Sequence, residues 1–287
     1  MRKFSSYGPV DIWQHYYAPR QALIERAYTQ MVGEDPDRGC HYITVWGPRQ
    51  TGKTWIMQQV LWRLQADDRF DVLKINLEHL KLETEVDSVV QEIARMIARD
   101  LGQDNGVVTR LKDVYDVFRR GLLRKPLILI LDEFDALPEA AIAGLTSVFR
   151  NVYIVQRSLH IPNLTADEVA GMFRWYEQES GQTVEPAVVA QLFYETRGQP
   201  GLVSWLGEVL TEIYNLHQPT ITPRDFEIAY AAATQELPNN NILKIISKAR
   251  QEPYKSFILE LFQTREKIEF RYEDPVINFL YMNGVVD

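Results

Sequence analysis

The most informative stretch of this chain is Gly47-Pro48-Arg49-Gln50-Thr51-Gly52-Lys53-Thr54, which reads G-x-x-x-x-G-K-T. The two glycines allow backbone turns that a β-carbon resists, so successive amide groups can curl around phosphates. The Lys53 ammonium is placed to reach the β- and γ-phosphates, and the Thr54 hydroxyl is placed to bind Mg²⁺. The pattern predicts a phosphate-binding loop, with Trp55 in the first turn of a helix whose positive end faces the anion.

The segments on either side of this loop fit the same interpretation. Residues 41–46 are β-branched and aromatic, as in a buried strand, and residues 53–65 carry apolar side chains at helical spacing. Strand, loop and helix therefore follow in the order that a phosphate loop requires. The alternative is a glycine-containing turn between a strand and a helix that binds nothing.

A second motif lies at residues 126–133, where an apolar run ends in Asp132 and Glu133. An apolar run without alternation is typical of a strand buried on both faces of a parallel sheet, and ligands bind at the carboxyl ends of such strands. We therefore expect Asp132 to hold Mg²⁺ through water and Glu133 to polarise the attacking water as general base. Taken alone, the run is equally consistent with a strand followed by a polar turn.

The composition of the 287 residues argues against several classes of protein. No apolar stretch reaches the length of a membrane span, and the N-terminus lacks the apolar core of a signal peptide. Cys40 is the only cysteine, which fits a reducing cytoplasm and excludes an internal disulfide. The formal charge of −8 and the pI near 5.3 argue against a generally basic nucleic-acid binder. A local basic cluster, typical of a helix C-terminus, comprises Arg119, Arg120, Arg124 and Lys125.

The periodicity of the first half of the chain predicts a parallel sheet flanked by helices. The expected order is helix 20–32, strand 41–46, helix 53–65, strand 70–77, helices 84–101 and 107–123, and strand 126–131. Parallel strands in this order require right-handed crossovers. We therefore assign the α/β fold of a P-loop NTPase core to residues 1–158.

The second half of the chain is predicted to be mostly helical. Four helices joined by short turns lie between residues 165 and 234 and predict an all-helical lid at 159–235. Beyond a linker of turn-forming residues, the order helix, helix, short segment, helix and strand is typical of a winged-helix-like domain at 242–287. Its last strand is expected to begin at Val285, so the wing is incomplete and we expect further residues in the natural protein.

With both motifs placed, nearly the whole chain resembles the AAA-like branch of the STAND signalling ATPases, relatives of the AAA+ and origin-recognition ATPases. Two short matches add to the ATP motifs, namely Tyr-Tyr-Ala-Pro-Arg at residues 16–20 and Gly198-Gln199-Pro200. The resemblance implies that Arg20 lies near the base of the nucleotide and that Pro200 approaches the adenine from the lid. Arg20 is equally consistent with an ordinary arginine at a helix start, and Pro200 with a proline in a first helical turn.

The chain departs from the family pattern after the acidic strand. The family places another strand there, which ends in a polar sensor residue near the γ-phosphate. Residues 152–155 are either a shortened sensor strand, with Gln156 or Arg157 as the sensor, or a sign that a segment is absent. Arg150 is a weak candidate for an arginine finger acting on a neighbouring copy, and a solvated arginine at a helix end is the simpler interpretation.

The motifs and the resemblance together predict a slow ATPase that needs ATP and Mg²⁺ and in which Glu133 and Lys53 act in catalysis. Lid and winged helix are expected to close over the base, so that the nucleotide controls a conformational or assembly switch with a protein partner or another copy. The alternative is a DNA-handling AAA+ module of the initiator or transposition-regulator type. It is not favoured, because residues 275–282 carry no Arg or Lys. A third possibility is a degenerate ATPase that binds ATP without hydrolysing it.

Overall fold

The computed structural model divides the chain into two compact units. The first, which we call the sheet unit, comprises Gln21–Val45 and Ile56–Leu159. The second, the helical unit, comprises Met1–Arg20, Trp46–Trp55 and His160–Asp287. The predicted division into domains 1–158, 159–235 and 242–287 stays a prediction.

The structure describes most of the chain, namely residues 1–6, 8–33, 41–102, 110–113, 125–152, 155–237, 239–265, 268–271 and 273–286. Some predicted features lie outside these ranges: the turn before Cys40, Cys40 itself, most of the helix at 107–123, Arg119, Arg120, Arg124 and Asp287. None of the helices in the described ranges is long and apolar enough to cross a membrane.

Four strands of the described ranges lie between residues 41 and 160, and they pair two by two: β1 His41–Trp46, β2 Asp71–Asn76, β3 Leu127–Asp132 and β4 Val155–His160. β2 and β3 are parallel, in a register that runs from Asp71 opposite Leu127 to Asn76 opposite Asp132. β1 pairs with β4. The first three strands match the predicted ranges within one residue, so the mixed α/β fold with parallel strands is confirmed.

Both faces of β3 are covered, which explains its uninterrupted apolar sequence. Ile128 and Ile130 pack with Met57 and Leu61 on one face. Leu127, Leu129 and Leu131 pack against a second cluster on the other face. The α-helices described in this part of the chain are α1 Gln21–Val32, α2 Lys53–Gln65, α3 Val86–Leu101 and α4 Glu139–Val152. Because helices supply both clusters, every residue of the strand is apolar until the strand ends at Asp132.

The strand predicted at 152–155 is wrong in its extent. β4 begins at Val155 and continues to His160, while residues 153 and 154 lie outside the described ranges. Leu159 and Ile161 are fully buried and His160 between them is not, which is the period of two of a strand. Polar residues at 156–158 concealed this alternation in the sequence. Gln156 and Arg157 therefore lie inside the strand and not beyond its end.

The helical unit has its core between four helices: α5 Ala166–Ser180, α6 Pro186–Thr196, α7 Pro200–Glu208 and α8 Pro223–Gln235. Thr165 opens α5 with a reciprocal capping box to Glu168, as its sequence predicts. The helix predicted to run to Leu216 is α-helical only to Glu208, because α7 continues as a π-helical turn at Val209–Tyr214. A short parallel pair, β5 Thr183–Val184 with β6 Thr220–Ile221, was not predicted.

The N-terminal segment belongs to the core of the helical unit. Phe4 is fully buried, with its ring centroid 5.0 Å from that of Tyr16 and 4.8 Å from that of Phe173. Arg2 forms an ion pair with Glu179 on α5 and lies over the Trp175 ring. The segment predicted as irregular is thus held by aromatic packing together with a single β-bridge between Lys3 and His15.

Three more helices end the described chain: α9 Asn240–Ala249, α10 Tyr254–Gln263 and α11 Pro275–Met282. Leu280 is fully buried, and the Phe279 ring stacks on Tyr254 with centroids 3.8 Å apart, so α11 packs against its own unit. The strand predicted from Val285 is wrong. Val285 donates its amide to the Leu280 carbonyl at 2.8 Å, and no strand in the described ranges is paired with it. The winged-helix assignment stays a prediction.

Candidate functional site

The predicted phosphate loop connects β1 to α2 and has the turns that its sequence suggested. Gln50 and Gly52 adopt left-handed backbone conformations, with φ of 60° and 85°. Gly47 is required for a different reason. The Ile161 amide donates to the Trp46 carbonyl at 2.8 Å, so a β-carbon at Gly47 would overlap the Ile161 carbonyl oxygen. Glycine is therefore the only residue that fits at the first position of the loop.

Lys53 folds back over the loop from the first residue of α2. Its Nζ donates to the carbonyl oxygens of Gly47 at 2.8 Å and Pro48 at 2.9 Å. The buried Thr51 hydroxyl also donates to the Pro48 carbonyl, at 2.9 Å. These bonds hold the loop in a closed turn with an ammonium group across it and the N-terminus of α2 below. Thr54 follows in the same helical turn and is exposed. This set of donors fits a polyphosphate bound with Mg²⁺.

The Gly-Gln-Pro motif at residues 198–200 lies against this loop. Gln199 precedes α7, and its side-chain Nε2 donates to the Arg49 carbonyl at 3.2 Å. Pro200 is the first residue of α7, as predicted. The structure thus brings residues 198–200 to the phosphate loop within the helical unit. The proposed approach of Pro200 to adenine stays a prediction.

Three aromatic side chains, Trp55, Tyr17 and Trp175, form a row of ring contacts beside the loop. The Trp55 ring lies edge-on to Tyr17, with centroids 5.6 Å apart, and Tyr17 lies 5.6 Å from Trp175 on α5. Sequence reasoning placed Trp55 at the site but had no means of finding Trp175, because no local pattern links residues so far apart. The tyrosine belongs to the segment that the family resemblance singled out.

Arg20 forms hydrogen bonds and an ion pair with residues of the helical unit. Its guanidinium donates to Glu168 at 3.2 Å, to the Pro162 carbonyl at 3.0 Å and to the Asn163 carbonyl at 3.3 Å. Only 7% of the side chain is exposed. These contacts join the residue before α1 to the segment that leads into α5. They favour a structural role for Arg20, and a contact with the nucleotide base stays a prediction.

The acidic pair lies at the carboxyl end of β3, as predicted. Asp132 is the last residue of the strand, and its Oδ2 lies 3.0 Å from the Nζ of Lys74 on β2. Glu133 follows in a left-handed conformation, with φ of 57°, and is exposed. Sequence reasoning missed Lys74, because the parallel pairing that brings it close to Asp132 cannot be read from either segment alone. Asp132 supplies one carboxylate of the kind that Mg²⁺ uses together with substrate phosphates.

A ring cluster adjoins the first residue of the loop. His160 lies 4.3 Å from the Trp46 ring, and its Nε2 forms a 2.7 Å hydrogen bond with the Tyr281 hydroxyl of α11. Burial lowers the pKa of His160, and the positive charge of Arg20 lowers it further. His160 is therefore held neutral at pH 7 between Trp46 and α11. His160 was not among the residues proposed as sensor or finger. Of those residues, Gln156 and Arg150 are exposed and Arg157 is partly buried.

Comparisons with known proteins relate this part of the chain to a family. Residues 37–162 match the family model described as "AAA domain". This part of the chain is an AAA domain. It contains both the phosphate loop and the acidic pair, so the predicted relation to the AAA+ P-loop ATPases is confirmed, while the narrower STAND assignment stays a prediction. A comparison with curated protein sequences finds no match.

Solved structures resemble the AAA domain and the helices that follow it. Drosophila ORC bound to DNA gives a TM-score of 0.57 at 16% identity, over 85% of this chain and 67% of that chain. The Aeropyrum pernix ORC1 protein in complex with DNA gives 0.47 at 20% identity, over 93% and 84%. The Thermotoga maritima RuvB Holliday junction branch migration motor gives 0.48 at 12% identity, over 80% and 76%. The likeness to Drosophila ORC supports the fold alone.

Proposed function

We propose that the AAA domain binds ATP with Mg²⁺, hydrolyses it slowly, and thereby controls a conformational or assembly switch. The observation that carries the proposal is the closed loop at the start of α2. Lys53 is held over it by two carbonyl oxygens, and Gln50 and Gly52 turn the backbone as a phosphate cradle requires. A turn that binds no anion would not need the Lys53 ammonium group held across the loop by the Gly47 and Pro48 carbonyls.

Each residue of the two motifs has a role in this proposal. Lys53 and the loop amides hold the β- and γ-phosphates, and Thr54 and Asp132 are the metal ligands. Mg²⁺ supplies neutralising charge to the phosphate oxygens when it is bound. Glu133 accepts a proton from water as the water oxygen bonds to the γ-phosphorus and the bond to the leaving ADP oxygen breaks.

The contacts of Arg49 support the switch. Its carbonyl accepts a hydrogen bond from Gln199, and its amide donates to the Met282 carbonyl of α11 at 3.0 Å. A change of the loop on nucleotide binding would therefore reach α7 and α11 directly. The partner is another protein or a second copy of the chain. Mass measurement in the nucleotide-free, ADP and ATP-analogue states tests this, and one unchanged mass in all three would exclude self-assembly.

Phosphate release from ATP and Mg²⁺ tests hydrolysis. Glu133→Gln should lower turnover at least about 100-fold and leave ATP affinity unchanged, because the general base is removed but the phosphate contacts remain. Glu139→Gln is the matched control, since Glu139 is an exposed glutamate in the first turn of α4. Equal turnover in both variants would remove Glu133 from the mechanism. Absence of release from the wild type would leave only ATP binding.

The second candidate is a DNA-handling AAA+ module. It is favoured by the fold likeness to Drosophila ORC, which was solved bound to DNA. The sequence of α11 argues against it, because this helix has no Arg or Lys and packs inward through Ile277 and Leu280. Titration with duplex DNA at 50 and 200 mM salt separates the two, since DNA binding through phosphates weakens steeply with salt. Tight, salt-dependent binding would overturn our preference for a protein partner.

A further inference from the structure

The peptide groups of Arg49 join the phosphate loop to distant parts of the helical unit. The Arg49 amide donates to the Met282 carbonyl at 3.0 Å. Its carbonyl accepts from Gln199 Nε2 at 3.2 Å. Both polar groups of one loop residue are thus used by segments that lie more than a hundred residues further along the chain.

Gln199 uses both ends of its side chain. Its Oε1 accepts from the Leu202 amide at 3.2 Å and so caps the N-terminus of α7, while its Nε2 holds the Arg49 carbonyl. The residue is only 6% exposed. Shorter side chains such as Ser, Thr, Asp and Asn are the usual caps. A glutamine has the extra reach, and the second functional atom, that a bridge to another segment needs.

The backbone around Gln199 leaves little freedom for this bridge to move. The Leu164 amide donates to the Gly198 carbonyl at 2.8 Å, and a β-carbon at Gly198 would overlap the Leu164 carbonyl oxygen. On the other side, a β-carbon at Gly201 would overlap the side-chain oxygen of Gln50. The start of α7 is therefore in contact with two successive loop residues, with Arg49 through the capping residue Gln199 and with Gln50 at Gly201.

We infer that Gln199 is a positioning residue that fixes the Arg49 peptide and thereby sets the phosphate loop in the conformation that binds nucleotide. In this role it couples the loop to α7. The inference rests on the proposed ATP binding, but the ordering of the loop by Gln199 is a property of the nucleotide-free protein as well. The two can therefore be tested separately.

Replacement by glutamate gives a test with a pH readout. The carboxylate that Gln199→Glu introduces still accepts from Leu202 when it is ionised, but it cannot donate to the Arg49 carbonyl and places two oxygens against each other. A protonated carboxyl group restores the donor. Burial raises the pKa of such a carboxyl, so the variant should change state within the accessible pH range. Gln199→Leu lacks both states and should show no such change.

The matched control is Gln182→Glu. Gln182 is also an amide in the helical unit whose Nε2 donates to backbone carbonyls, those of Asn215 at 2.7 Å and Gln218 at 2.5 Å. None of its hydrogen bonds recorded in the described structure involves the phosphate loop. General weakening of the unit should therefore appear in both variants, and an effect on the loop only in Gln199→Glu.

Hydrogen–deuterium exchange of the peptide covering residues 46–55 reads loop order without nucleotide, and titration with a fluorescent ATP analogue reads affinity. At pH 8.5 we expect Gln199→Glu to exchange about fivefold faster than Gln182→Glu and to bind ATP correspondingly less tightly than the wild type. Both differences, taken as ratios to the wild type at the same pH, should shrink toward pH 5.5.

Exchange and affinity equal to those of the control at pH 8.5 would overturn the inference. So would a loss that is the same at every pH, because it would show general disruption. If the wild type binds no ATP, the proposed function fails, and the exchange ratios still decide the role of Gln199.

Discussion

Lys74→Met gives the clearest perturbation of the acidic site. The Lys74 ammonium lies 3.0 Å from Asp132 Oδ2, where it competes with any cation that Asp132 is to hold. Methionine keeps most of the apolar stem of the side chain and removes the terminal ammonium group with its charge. If Asp132 is the Mg²⁺ carboxylate, the variant should need less Mg²⁺ for half-maximal phosphate release.

The size of the shift follows from the distance and the burial of the pair. Two unit charges 3.0 Å apart attract by about 1.4 kcal/mol at the dielectric constant of water and about 5.5 kcal/mol at an effective value of 20. Desolvation and lost side-chain entropy offset most of this, and exposed pairs retain only about 0.2–1 kcal/mol. The side chains of Lys74 and Asp132 are 19% and 21% exposed, so we expect about 1–2 kcal/mol. That corresponds to a roughly 5- to 30-fold lower Mg²⁺ midpoint.

The assay is phosphate release as a function of Mg²⁺ at one fixed ATP concentration. Binding of Mg²⁺ to ATP in solution is then the same for every variant. Lys125→Met is the control, because it removes the same charge from an exposed residue just before β3. An unchanged midpoint in Lys74→Met would show that Lys74 does not compete with the metal. A higher midpoint would also contradict the prediction, since Lys74 would then assist the metal instead of competing with it.

Two further predictions concern the helical unit. Gly198→Ala should lower the free energy of unfolding by about 3 kcal/mol in denaturant titrations, because the new β-carbon adds left-handed strain and overlaps the backbone. Gly181→Ala is the control, since Gly181 has similar strain but open space around it, and its free energy of unfolding should fall by only about 1 kcal/mol. Equal losses would show that the overlap is relieved. Because folding lowers the pKa of His160 below its unfolded value of 6.5, the neutral ring contributes fully to the free energy of unfolding above pH 6.5. This contribution is lost as the pH falls from 6.5 through the pKa of the folded state. His160→Gln should therefore flatten the decline of unfolding free energy between pH 6.5 and 5, and an unchanged slope would assign that decline to other groups.

Local pattern was sufficient to predict the site where each part is continuous in sequence. The strand, loop and helix around residues 47–54 and the strand that ends at Asp132 are each specified by their own residues. The π-helical turn after α7 was missed because helical spacing alone does not distinguish it from an α-helix. β4 was placed too early because polar residues occupy its exposed positions.

The contacts between distant segments were beyond sequence reasoning. Phe4 packs against Phe173, Lys74 lies beside Asp132, and Gln199 donates to the Arg49 carbonyl. These contacts join residues from 58 positions apart, for Lys74 and Asp132, to 169 positions apart, for Phe4 and Phe173. Periodicity and motif spacing describe one segment at a time, so such pairings follow only from the fold. The same limit explains why Arg20 was assigned from a family resemblance alone.

Calorimetric titration of ATP with Mg²⁺ into the wild type and Lys53→Ala measures whether the loop at residues 47–54 binds ATP. Lys53 Nζ bridges the Gly47 and Pro48 carbonyls, so its removal takes away both the phosphate charge and the group that closes the loop. We expect saturable binding to the wild type and an affinity at least about 100-fold weaker in the variant, as for loss of a charged partner in a closed site. Undiminished affinity in Lys53→Ala would contradict the account.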